Sequence, residues 1–288
     1  MHERLNLNGN AYAMVTSTND TAVVFVHGLH GHPEKTWRQF QTLVDHETVS
    51  AMYPWWTSCD EFFYSYNSDD QIDPNTIKLS AFVSRVFPVP MWDLIGAGRT
   101  LPRRRYERLM LVGHSEGGVL VRSVVLHQVQ KYNRLGREDL ARALESDPIL
   151  KANLRLFAPA TWGALVSGWK GVLLRSPILG DSLEPLLSSS PGYQQLTAQS
   201  PMLQDIRMRT VECARRYPAI TAFRAQNLFG TQDRLVCFGA LATDPPAEYE
   251  QGCTHTSICK PTVSYLRPLA FVRHDEFNLP CSGRAAAV

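Results

Sequence analysis

The chain has 288 residues, of which 44% are hydrophobic and 19% charged, with a formal net charge of +2. That length suits one large α/β domain with an ample core. So small a charge does not suggest a nucleic-acid partner, and no apolar run reaches the ~18 residues of a membrane span.

Along the chain, short β-rich apolar runs alternate with helical stretches, the pattern of a mostly parallel sheet covered by helices on both faces. AYAMVTS (11–17) is a candidate edge strand, and TAVVFVHG (21–28) a buried strand running into a glycine turn. EFFYSYNS (61–68) and RLMLVGHS (108–115) follow as strands. From Glu116 to about Tyr132 the apolar spacing becomes helical. NLRLFAPA (153–160) and TAFRAQNLFG (221–230) complete the predicted strands. Two long connections, about 69–105 and 161–218, read as helical insertions, the second as a lid or cap, because structureless loops of that length are rare in compact domains. The chain 1–288 is expected to be a single domain with a frayed tail at 279–288. MHERLNLNGNAYAMV lacks the apolar core of a leader peptide. The six scattered cysteines read as reduced thiols, so the expected compartment is the cytoplasm. A Cys253–Cys259 bridge is a weaker alternative. No CxxC pair marks a metal site, and neither metal nor cofactor is expected. Arg103, Arg104, Arg105 and Arg108 are expected in a solvated loop before a strand, with a phosphate patch as the lesser reading.

Gly113-His114-Ser115-Glu116-Gly117 fits G-x-S-x-G and lies between a predicted strand and helix. There the motif forms a sharp turn that exposes the serine hydroxyl, and its small residues let strand and helix approach. His27-Gly28-Leu29 follows the earlier strand. The backbone amides of Leu29 and Glu116 are therefore the candidate oxyanion donors. A serine hydroxyl needs a base, and the base needs an orienting carboxylate, in the chain order Ser, acid, His. Asp233 directly follows the last predicted strand, and His255 sits in a loop of small polar residues about twenty positions later. Asp244 and Glu248 are fallback acids. His274 is the later histidine, poorly placed for a base. Candidate substrate-contacting residues are His27, His114, Trp162, Leu165 and Trp169, with His27 expected to shape its loop rather than act chemically.

The segments VVFVHGLHGHPEKTW (23–37), YPWWTSCDEFFYSYNS (53–68), LMLVGHSEGGVLVRSVV (109–125), FGTQDRLV (229–236) and HTSICKP (255–261) resemble one group of α/β-hydrolases. That group comprises the serine-active-site-containing lipase-like proteins and, more distantly, hydrolases of the GPI-inositol-deacylase (PGAP) type. The resemblance covers about residues 20–275. It implies the α/β-hydrolase fold, esterase or lipase-like action on an acyl-ester or membrane-lipid substrate, and a triad of Ser115, Asp233 and His255. The chain departs from the group at APATWGA (158–164), where many relatives carry a G-T-P-H-x-G-S-like turn. The expected reaction is hydrolysis of a carboxylic ester through an acyl-enzyme. Acyl transfer or thioesterase action with the same triad is an alternative, and a non-catalytic interaction module is a third. An exposed apolar lid would add peripheral membrane contact.

Overall fold

The computed structural model describes residues 2–16, 20–44, 46–98, 101, 104–135, 140–165 and 190–272. Eight strands form one sheet: β1 (Glu3–Asn6), β2 (Tyr12–Val15), β3 (Thr21–Val26), β4 (Cys59–Tyr64), β5 (Arg108–His114), β6 (Asn153–Phe157), β7 (Ala225–Gly230) and β8 (Glu248–Glu250). Their order is β1-β2-β4-β3-β5-β6-β7-β8. The first two strands are antiparallel, and every pairing from β4 through β8 is parallel. The helices are α1 (Pro33–Val44), α2 (Glu47–Met52), α3 (Ile72–Val86), α4 (Trp92–Ile95), α5 (Glu116–Arg134), α6 (Leu140–Ser146), α7 (Pro191–Gln195), α8 (Pro201–Arg216) and α9 (Arg267–Val272).

The central strands are buried on both faces. Ala22 through Val26 in β3 have no exposed surface, as a strand flanked by two others and covered by helices requires. One side of the sheet carries an aromatic cluster. Phe25 stacks on Phe63 with ring centroids 4.9 Å apart, and Trp37 and Phe40 of α1 each lie 5.1 Å from Phe25. These contacts fix α1 against β3 and β4, and they add about 0.5–1.5 kcal/mol per pair beyond area burial.

The predicted strands are found, each trimmed at one end or both. His27 and Gly28 leave β3, Ala158 to Ala160 leave β6, and Thr221–Phe223 forms a short 3-10 turn ahead of β7. Predicted strand 61–68 starts two residues earlier and stops at Tyr64. The candidate edge strand at 11–17 is β2. The edge itself is β1, which pairs with β2 antiparallel through Leu5↔Ala13. The strand β8, at three residues, is too short for its sequence to alternate detectably. The first long connection holds α3 and α4. Of the second, α7 and α8 are described. The core of the expected lid and the tail 279–288 fall outside the described residues. No described helix is long and apolar enough to cross a membrane.

Register decides where the loops meet. Val26 is level with Gly113, Phe157 with His114, and Leu228 with Phe157. The segments after β3, β5, β6 and β7 therefore leave the sheet side by side at one edge.

Candidate active site

Ser115 sits between the last residue of β5 and the first of α5, with φ 56° and ψ −121°. A positive φ is costly for a residue with a Cβ, so the surroundings must impose it. Three backbone hydrogen bonds do so. The Ser115 amide donates to the Phe157 carbonyl at 3.0 Å, and its carbonyl accepts from Gly118 at 3.0 Å and Ala160 at 3.1 Å. The helix then starts hard against β3. A Cβ at Gly117 would lie 2.3 Å from the Val26 carbonyl oxygen, so only glycine fits.

The segment after β6 supports this turn. Ala158 has φ 42°, its amide donates to Leu228 at 2.8 Å, and Ala160–Trp162 forms a 3-10 turn. The APATWGA departure thus retains a backbone role beneath Ser115.

His27 and Gly28 pass directly over the serine. A Cβ at Gly28 would lie 2.7 Å from the Ser115 Cβ. The His27 ring is packed beneath the loop rather than toward the cavity. It stacks on Tyr66 at 4.4 Å, its Nδ1 donates to the Gly28 carbonyl at 2.9 Å, and the Tyr66 hydroxyl donates to the His27 carbonyl at 2.8 Å. Burial lowers its pKa to about 4, so it is neutral at physiological pH. Among the described residues, neither the Leu29 nor the Glu116 amide has a hydrogen-bond acceptor.

On the far side of Ser115, Asp233 follows β7 by three residues. Its amide donates to Gly230 at 3.0 Å, and one carboxylate oxygen accepts from the Leu235 amide at 2.8 Å. The other accepts from His255 Nδ1 at 2.7 Å, and both side chains are buried. The His255 loop is pinned at two points: Gln232 donates to the Cys253 carbonyl at 2.9 Å, and His114 Nε2 donates to the His255 carbonyl at 2.8 Å. Burial, followed by the neighbouring His255 ring, lowers the His114 pKa to about 3. An imidazole committed through Nδ1 presents Nε2 as its remaining site for a proton.

Ser115 and His255 line one cavity of about 220 Å³. Leu29, His114 and Leu235 share its wall, as do Lys35, Thr36, Cys259 and Lys260. Sequence reasoning missed Lys35, Lys260 and Leu235. Lys260 is part of the HTSICKP segment, but nothing in its spacing says which way it faces. Trp162 lines a different, wider groove of about 900 Å³ against α8, where Arg207 sits over its ring at 4.8 Å. Leu165 is part-exposed, and its amide donates to Leu235 at 2.8 Å, so it borders the cavity wall without lining it. Trp169 lies outside the described residues, as does His274.

The fallback acids are engaged elsewhere. Asp244 is buried against Arg122 of α5 and also accepts from the Ala225 amide at 2.9 Å and the Leu241 amide at 3.0 Å. Glu248 pairs with Arg267. Of the arginine cluster, Arg104 pairs with buried Asp60 and Arg108 with Asp20, so both are committed to carboxylates. Cys253 and Cys259 are free thiols. Among the described residues, no cluster of His, Cys, Asp and Glu could hold a metal ion.

No family model and no curated protein matches the chain. Solved structures do. Phospholipase PlaB from Legionella pneumophila aligns at 15% identity and a TM-score of 0.54, over 89% of this chain and 59% of PlaB. PlaB in complex with thio-NAD aligns at 16% identity and a TM-score of 0.51, over 88% and 58%. Est1E from Butyrivibrio proteoclasticus aligns at 15% identity over 94% of this chain and 96% of its own, with a TM-score of 0.48. The chain thus spans a little under three fifths of PlaB. Sheet order, the serine turn between strand and helix, and the likeness to PlaB together give this chain the α/β-hydrolase fold.

Proposed function

We propose that the protein is a serine hydrolase that cleaves a carboxylic ester through an acyl-enzyme on Ser115. The observation that carries this reading is the 2.7 Å bond from His255 Nδ1 to buried Asp233, with His255 and Ser115 lining one cavity. Ser115 Oγ attacks the ester carbonyl while His255 Nε2 takes its proton. Asp233 holds the ring in the tautomer that leaves Nε2 as acceptor and stabilises the imidazolium once it forms. The carbonyl oxygen, now an anion, rests on the amides of Leu29 and Glu116. His255 returns the proton to the leaving alkoxide, giving an alcohol and the acyl-enzyme. Water, deprotonated by His255, then attacks the acyl carbon, and His255 passes that proton to Ser115 Oγ as its bond to the acyl carbon breaks, releasing the acid and restoring the free serine.

The substrate class is an acyl ester or a lipid. The phospholipase activity named for PlaB is compatible with that range. Part-exposed Trp162 and Leu165 near the same sheet edge suit contact with a lipid surface. The chain acts as one domain, a reading supported by a continuous buried core from Leu5 to Val272.

Turnover of short and long p-nitrophenyl esters, together with labelling by a fluorophosphonate, tests the proposal. The wild-type protein should label at Ser115 and turn over, and Ser115→Ala should lose both, with kcat down by about 10⁴-fold or more. Undiminished activity in that variant removes the proposal.

A further inference from the structure

We propose that the Ser115 cavity takes an ester carrying an anionic group (a phosphate, sulfate or carboxylate) held between Lys35 and Lys260. This rests on the hydrolase reading above and adds the substrate's charge to it.

The two lysines reach the cavity from separate parts of the chain. Lys35 stands in the first turn of α1, just beyond the loop over Ser115, and Lys260 stands five residues after His255. Among the described residues, the cavity lining includes no Asp or Glu. The nearby carboxylates are already engaged. Asp233 is turned to His255, Glu34 to Arg4, and Asp69 faces His30 at 3.8 Å. Neither Lys35 nor Lys260 forms an ion pair within the described residues.

Lys35 also opposes its own helix. The first turn of a helix carries partial positive charge and favours acidic side chains, so an ammonium there is locally unfavourable. Its position is better explained by the cavity it faces than by the helix that bears it. Two ammonium groups without an ion-pair partner among the described residues, beside one partly enclosed cavity, make a field that favours a negative ligand. A neutral ester leaves both in water and gains nothing from them. An anion a few ångströms away gains on the order of tenfold in affinity from each.

The test compares butyrate esters of 4-hydroxybenzenesulfonate and of 4-hydroxyphenyl methyl sulfone, which differ in charge but little in size. For the wild-type protein, kcat/KM should favour the sulfonate by tenfold or more, and the preference should shrink with added salt. Lys35→Met and Lys260→Met should each lower the sulfonate-to-sulfone ratio about tenfold, and the double variant should bring it near one. Equal kcat/KM for the two esters in the wild type, or a ratio unchanged in the double variant, overturns the proposal. Titration of Ser115→Ala with phenyl phosphate reads the same site without turnover. Binding lost in the double lysine variant supports the anion site even if no ester is cleaved, and lysine-independent binding or none overturns it. Glycerol 3-phosphate esterified with butyrate or with oleate then identifies the source of the anion. Lysine-dependent cleavage of the first marks a soluble ester, and lysine-dependent cleavage of micellar oleate alone marks a lipid headgroup. Lysine-independent cleavage of both overturns the proposal.

Discussion

Stability should peak near pH 6.5 and fall on the alkaline side because of one buried carboxyl. Glu116 has no exposed surface, and burial raises its pKa from 4.5 to about 8. Between those values the unfolded chain has lost this proton while the folded chain keeps it. The folded state therefore binds more protons, and its stability declines as pH rises, by up to about 1.4 kcal/mol per unit. This contribution is fully present below pH 4.5 and gone above pH 8. His27 and His114 act in the opposite sense. Their folded pKa values, about 4 and about 3, lie below the ordinary 6.5. Below pH 6.5 the unfolded chain takes up protons that the folded chain refuses, so acid destabilises through two groups against one. The histidines win on the acid side. Between pH 6.5 and 8 Glu116 removes about 1.7 kcal/mol. The two histidines, half protonated in the unfolded chain at pH 6.5, return about 0.8 kcal/mol as they lose those protons, for a net loss of about 1 kcal/mol. Glu116→Gln keeps the shape and removes the proton, so its stability should rise slightly across that interval instead of falling. Urea unfolding followed by tryptophan fluorescence at pH 6.5 and 8.0, on both proteins, makes the comparison. Equal losses in the two proteins would refute the assignment of the slope to Glu116.

Three further substitutions separate chemistry from scaffold. Gly28→Ala places a methyl 2.7 Å from the Ser115 Cβ and 3.0 Å from the His114 carbonyl oxygen, so the loop carrying the Leu29 amide must shift. Steady-state kinetics should show kcat about 10²-fold lower with KM little changed, and a wild-type kcat would count against that loop as an oxyanion donor. Asp233→Asn should cut kcat about 10⁴-fold while unfolding stays near wild type. By contrast, Asp244→Asn should leave turnover per folded molecule intact but cost about 3–5 kcal/mol, because Arg122 is left buried without its carboxylate. Parallel denaturation and activity measurements decide, and the reverse pattern would make Asp244 the acid.

Much of this architecture was legible because its elements are locally consistent. Val23 to Val26 is an unbroken β-branched and aromatic run with no room for solvent on either face, and it folds as a central strand. The serine turn was legible because strand, small-residue motif and helix occur in succession. The edge was not: β1 and β8 have four and three residues, and pairing rather than pattern makes them strands. Side-chain direction was equally hidden. Trp162 is apolar and near the site in sequence, yet its 3-10 turn sends the ring toward Arg207 and α8 rather than toward Ser115. Nothing in the sequence joins Lys35 to Lys260, and only the folding of two separate segments around one cavity gives them a common neighbour.

The choice among buried carboxylates shows what the fold adds to the motif. Asp60 is bound by Arg104 and by the Tyr106 hydroxyl at 2.5 Å, Asp147 by Gln128 at 2.6 Å and the Ile149 amide at 2.7 Å, and Asp244 by Arg122. A carboxylate held by a guanidinium or an amide has a partner that does not titrate near neutrality, so such pairs organise the core without moving protons. Asp233 instead faces an imidazole, the side chain whose ordinary pKa lies within reach of physiological pH. The same acid type is held by a guanidinium or an amide in three places and by an imidazole in the fourth. What distinguishes it is the β7 register that sets it opposite the His255 loop, beside the turn that strains Ser115.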